Sequence, residues 1–94
     1  MGEFLTLLLS YYLCDATAAT RPMGSAERAA CIETYDEVKT YFVPGFELAP
    51  EGSLDRFAQM QAGYVAGKAW EEANAETVEE LRATAWARVT GVAG

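Results

Sequence analysis

The chain contains no histidine in 94 residues, and this absence excludes several kinds of chemistry. Histidine is the general base of Ser-His-Asp and Cys-His catalysis and a common zinc ligand, so these sites cannot form from this chain alone. Two cysteines are too few for an all-thiolate zinc site. The sequence also has no nucleophile elbow, Walker loop or dinucleotide-binding glycine motif. We therefore expect no enzymatic activity, no cofactor and no metal site.

Basic residues are scarce as well. Seven Lys and Arg stand against fourteen Asp and Glu, which gives a net charge of −7. Such a surface repels phosphate backbones and anionic lipid headgroups, so we expect neither nucleic-acid nor membrane binding. A protein partner with a basic surface is compatible with this charge. The simpler interpretation is that the charge keeps a small protein soluble.

β-branched residues are few, whereas alanine is abundant, particularly in residues 58–87. This balance favours helix over sheet. The length allows one domain, residues 1–94, that buries little more than about 60% of its unfolded surface. We predict an all-α fold: a small bundle of three to four helices with a hydrophobic N-terminal helix.

Turn and capping residues place the helices after the first. Ser25 is the predicted N-cap of a second helix that runs to about Phe42, because Pro22 and Gly24 interrupt the chain before it. In the loop that follows, Phe46 and Leu48 are expected to fill a gap at one end of the bundle. Ser53 is the predicted N-cap of the third helix.

The third helix carries two patterns. One comprises large side chains at helical spacing, which we expect to face the core: Leu54, Phe57, Met60 or Gln61, and Tyr64. The other is Gly63-x-x-x-Gly67, which predicts a close crossing with another helix of the same chain. Thr77 and Glu80 form a capping box for a fourth helix, so we expect a break near Asn74. The alternative is one continuous helix, because residues 70–81 contain neither Gly nor Pro.

Residues 4–13 are the most hydrophobic stretch and carry no charge. They have the length of the apolar region of an export signal, and residues 16–18 (Ala-Thr-Ala) resemble a cleavage site. However, no Lys or Arg precedes them, and the stretch has about half of the ~20 residues that a transmembrane helix needs. We expect a buried helix in a cytoplasmic protein. The alternative is an exported protein whose first 18 residues or so are removed.

A helix that is apolar on all sides has more surface than a small bundle can cover, so we expect self-association into a homo-oligomer. The main hypothesis is thus a non-catalytic interaction or assembly protein. An acidic binder of a basic protein partner is the alternative. The candidate interface residues are Leu5, Leu8, Leu9, Tyr12, Trp70 and Trp86.

Two further features bear on function. Cys14 and Cys31 could face each other across a helical hairpin and form a disulfide, or remain two small buried side chains in a reducing compartment. A run of glutamates has no base until Arg82, and we expect it to be a solvated face. Its members are Glu71, Glu72, Glu76, Glu79 and Glu80.

Overall fold

The computed structural model describes residues 2–43 and 47–91 and forms four helices in this part of the chain. They are α1 (Gly2–Thr20), α2 (Ser25–Thr40), α3 (Leu54–Ala73) and α4 (Ala75–Thr90). No strand occurs among the described residues, so the predicted all-α bundle is confirmed. The predicted position of Phe46 lies outside the described residues, and Leu48 is half-buried.

Helix α1 supplies most of the core. Its side chains Phe4, Leu8, Tyr12 and Ala16 are buried and follow each other at four-residue spacing, so they share one face. This face packs between α2 and α4, where the other buried apolar side chains of the described residues are Val38 and Ala85.

Aromatic contacts close the core around Phe4, near the start of α1. The Phe4 ring centroid lies 4.6 Å from that of Tyr41, 5.1 Å from that of Phe42 and 4.9 Å from that of Trp70. Aromatic pairs at these separations stabilise beyond their buried area. The residues that follow α2 and the last turn of α3 are thereby fixed against α1.

The α1–α2 turn differs from the prediction in one detail. Gly24, not Ser25, is the N-cap of α2. The Glu27 side chain accepts a hydrogen bond from the Gly24 backbone N–H at 3.2 Å and pairs with Arg21 at 2.6 Å. The Arg21 guanidinium, together with the Gly24 N–H, lowers the pKa of Glu27 to about 2. Helix α2 ends at Thr40, two residues before the predicted end.

Helices α3 and α4 are separate, as predicted, but α4 begins before the predicted capping box. Val78 N–H donates to the Asn74 carbonyl at 3.0 Å, so the helical hydrogen bonds of α4 already start at Asn74. The Asn74 side-chain amide donates to the Trp70 carbonyl at 2.9 Å and covers the end of α3. Thr77 therefore lies inside α4 and does not cap it.

The bundle is flat. Its extents are 43 × 33 × 18 Å, and its radius of gyration of 14.3 Å exceeds the roughly 12.4 Å of a compact chain of this length. Helix α1 packs against α2 and α4, whereas α3 packs mainly against α2. One side of α3 is consequently left without a neighbouring helix.

Candidate interaction surface

The uncovered side of α3 carries large apolar side chains. Leu54 is 87% exposed, Phe57 63% and Val65 66%, and Tyr64 is also exposed. The prediction that Leu54, Phe57 and Tyr64 face the core is therefore wrong. We call this surface the α3 face. The small or neutral side chains Ala58, Gln61, Ala62 and Ala69 complete it, and all of them are exposed.

Charge is absent from the centre of the α3 face and present at its ends. Residues 57–67 contain no charged side chain, and only residues 4–14 form an equally long uncharged run. The run in α1 is largely enclosed, whereas the run in α3 has one side in solvent. Asp55 and Arg56 precede the neutral run and Lys68 follows it. The α3 face is thus a neutral apolar strip on a strongly acidic protein.

The opposite side of α3 explains its orientation. Gly63 is buried against the last turn of α2, where an added Cβ would overlap the Lys39 carbonyl oxygen. The predicted close crossing is therefore present at Gly63, while Gly67 has open space beside it. The large side chains on the side of α3 opposite Gly63 consequently point to solvent.

Polar contacts hold the start of α3 against the preceding loop. The Ser53 hydroxyl accepts a hydrogen bond from Arg56 N–H at 3.1 Å, which confirms the predicted N-cap. The Gln59 side chain donates to the Glu47 carbonyl at 2.6 Å and accepts from Ala49 N–H at 2.9 Å. These contacts lie away from the α3 face and leave it accessible. A shallow depression of about 500 Å³ runs along this face beside Lys39.

A partly buried polar cluster joins α1, α3 and α4. The Tyr12 hydroxyl donates to Glu71 Oε2 at 2.5 Å, and the Arg82 guanidinium lies 4.0 Å from the Tyr12 ring centroid. Glu71 also pairs with Lys68 at 3.2 Å, and Arg82 reaches Asp15 at 3.4 Å. Burial, then the hydrogen bond to Glu71, raises the pKa of Tyr12. Since each member has a partner within the chain, the cluster orients α3 and α4 on α1.

This cluster corrects the expectation for the glutamate run. Glu71 is turned inward, and its side chain is only 18% exposed. The other four glutamates of the run are exposed, as expected of a solvated face. No set of three or more acidic or cysteine side chains within residues 2–43 and 47–91 is arranged to hold a metal ion.

Of the predicted interface residues, Leu8 and Tyr12 are the clearest errors. Their exposed fractions are 2% and 1%, so they belong to the core and cannot contact a partner of the folded chain. Leu5 and Leu9 are half-buried. Trp70 is half-buried too, and its ring packs edge-on against Phe4. The physical reason is that α2 and α4 together enclose more of α1 than the sequence indicated.

Trp86 is the predicted interface residue that remains accessible, with 49% of its surface exposed. It lines an open groove of about 750 Å³ between α1 and α4, whose other lining residues include the small Ala16 and Ala19 and the charged Glu79 and Arg82. Small side chains on both helices create this groove, because they leave the space between the helix backbones unfilled.

Cys14 of α1 and Cys31 of α2 form a disulfide, with their Cα atoms 5.8 Å apart. The bond crosses the α1–α2 hairpin at about mid-height. Ile32 follows Cys31 and is 61% exposed, which makes it an apolar side chain on the surface outside the α3 face.

None of the described helices combines the length and hydropathy that crossing a membrane requires. No protein-family model matches the chain, and neither a curated protein nor a solved structure is significantly similar to it.

Proposed function

We propose that this protein is a non-catalytic assembly protein that self-associates through the α3 face. The observation that carries the proposal is the row of exposed apolar side chains on a neutral helix face, with Leu54, Phe57 and Val65 each more than 60% exposed. Contiguous apolar surface of this kind marks protein contacts, because its burial is the dominant favourable term in association. We therefore place the self-association interface on α3, whereas the sequence predicted it mainly on α1.

The total exposed surface area is large enough for one standard protein interface to be buried. The chain exposes 6222 Å², whereas a folded monomer of this mass exposes about 5300 Å². The excess of roughly 900 Å² is close to the ~800 Å² that each partner buries in a standard stable interface. A second copy of the chain is the simplest occupant, because the neutral face avoids the repulsion that its acidic surfaces would otherwise create.

The experiment is the solution mass of the protein by light scattering and sedimentation equilibrium. We expect a multiple of the monomer mass for the wild type. Phe57→Asp should weaken association by at least about a hundredfold, since full burial of one phenylalanine contributes about 1.5–3 kcal/mol and the change occurs in both copies. Ile32→Asp is the matched control, because Ile32 is equally exposed but lies on α2.

A monomeric wild type at high concentration, or equal effects of the two substitutions, would contradict the proposal. The salt dependence of complex formation distinguishes self-association from the acidic-binder alternative. In that alternative the exposed Glu76, Glu79 and Glu80 would contact a basic protein. Binding between opposite charges weakens as salt screens it, whereas apolar self-association of acidic chains does not.

The disulfide favours a second proposal, which concerns location. Disulfides persist in oxidising compartments, so the Cys14–Cys31 bond is consistent with export of a chain that keeps its first 18 residues. Removal of those residues would remove Cys14 and leave Cys31 as a lone thiol. The test is thiol alkylation of unreduced protein from its native host, followed by intact mass. Unlabelled cysteines would support an oxidising compartment, and two labelled cysteines would contradict it.

A further inference from the structure

The larger side chains along the α3 face lie at equal distances on either side of its centre. Gln61 lies midway between Phe57 and Val65, and also midway between Leu54 and Lys68. Gln61 itself is exposed and uncharged. A face with this arrangement can pair with a copy of itself when the second helix runs in the opposite direction.

We propose that two copies pair through antiparallel α3 helices, with a two-fold axis beside Gln61. This inference rests on the self-association proposed above and adds its geometry. An interface with two-fold symmetry uses the same patch on both copies, so each residue meets the residue equally far on the other side of the axis. Phe57 then lies opposite Val65 of the second copy, and Ala58 lies opposite Tyr64.

Side-chain size agrees with this register. The small Ala58 lies level with the large Tyr64 of the second copy, so two helices can approach while large side chains enter the spaces beside small ones. Leu54, the most exposed apolar side chain of α3, lies level with Lys68, whose methylene groups can cover it. Gln61 meets Gln61 of the second copy at the axis, where two amides can donate to and accept from each other.

Charge favours the antiparallel direction. Arg56, which directly precedes the neutral run, is half-buried and donates to the Ala49 carbonyl at 2.8 Å. Asp55 of one copy lies almost level with Lys68 of the other, so opposite charges lie at the same level at both ends of the neutral run. In a parallel pair Asp55 would face Asp55 and Lys68 would face Lys68, which is unfavourable. The antiparallel pair therefore buries the neutral centre and matches the charges at its rim.

The first test changes Leu54 to glutamate in one variant and to lysine in another. In the antiparallel pair the introduced glutamate faces Lys68 of the second copy and is tolerated, whereas the introduced lysine faces a like charge. We expect the dimer of Leu54→Lys to dissociate about tenfold more readily than that of Leu54→Glu. General repulsion predicts the opposite order, because Leu54→Lys reduces the net negative charge and Leu54→Glu increases it.

The second test changes Gln61, the residue beside the proposed two-fold axis. Gln61→Glu and Gln61→Lys should each weaken the dimer, because like charges meet at the two-fold axis. A mixture of the two variants should recover it as a heterodimer. The same mixing at Leu54 should give no recovery, since residue 54 does not meet its own copy.

The outcomes separate the two proposals. If the wild type is monomeric, the self-association itself is contradicted. If the wild type is dimeric but the two Leu54 variants dissociate equally, or if mixing rescues Leu54 as well as Gln61, the antiparallel register is overturned and self-association stands. Circular dichroism of each variant verifies that the fold is retained, which we expect because both positions are exposed.

Discussion

The contact between α3 and α2 can be tested by a pair of identical substitutions four residues apart. Gly63→Ala adds a methyl group that would overlap the Lys39 carbonyl oxygen and lie 2.7 Å from its carbonyl carbon. Gly67→Ala adds the same group where no atom beyond the local backbone lies within 4 Å. The two variants share the helix and the chemical change, and differ mainly in the opposing backbone.

The expected changes in stability follow from the different surroundings of Gly63 and Gly67. In a helix, alanine is favoured over glycine by about 1 kcal/mol, so Gly67→Ala should stabilise the protein by about that amount. At Gly63 the opposing atoms are backbone and cannot rotate away, which places the cost of overpacking at about 3 kcal/mol or above. After the helix propensity is included, Gly63→Ala should destabilise the protein by at least about 2 kcal/mol.

The assay is thermal unfolding followed by circular dichroism at one protein concentration. For a chain of this size, 1 kcal/mol shifts the Tm by about 4–8 °C. We expect Gly63→Ala to melt at least about 8 °C below the wild type and Gly67→Ala about 4–8 °C above it. Equal melting temperatures for the two variants would refute the close approach of α3 to α2, and with it the outward orientation of the α3 face.

Two other perturbations test the α1 contacts. Cys14→Ser should lower the free energy of unfolding by about 3 kcal/mol, because the disulfide closes a loop with a sequence separation of 17 residues and so reduces the entropy of the unfolded chain. The difference from the wild type should vanish in reductant. An equal deficit in reductant would assign the loss to packing. Burial, followed by the nearby Asp15 carboxylate, raises the pKa of Tyr11 from 10.0 to about 12. Because its folded-state pKa is the higher one, the stability due to Tyr11 is complete below about pH 10 and is lost as the pH rises to about 12. Denaturant unfolding across this range should show that decline, and Tyr11→Phe should remove its share of it.

Local signals in the sequence were sufficient for the helices. The Ser53 cap and the interruption at Asn74 both lie where short-range rules place them. The beginning of α4 was placed too late because two caps compete, and the backbone carbonyl of Asn74 starts the helical hydrogen bonds before Thr77 can. The pairing of Tyr12 with Glu71 joins residues 59 apart, and no local pattern indicates it.

The orientation of α3 was available from the sequence but required a comparison of two predictions. Successive residues of a helix project about 100° apart, so Leu54 and Phe57, nine and six residues before Gly63, point about 180° and 120° away from it. Gly63 and these two predicted core residues therefore cannot face the same neighbour. The glycine predicted a close intramolecular crossing, and the large side chains were assigned to the core as well. The structure satisfies the glycine, because only a residue without a side chain fits against the backbone of Lys39. Leu54 and Phe57 must then point outward, and burying them requires a second molecule.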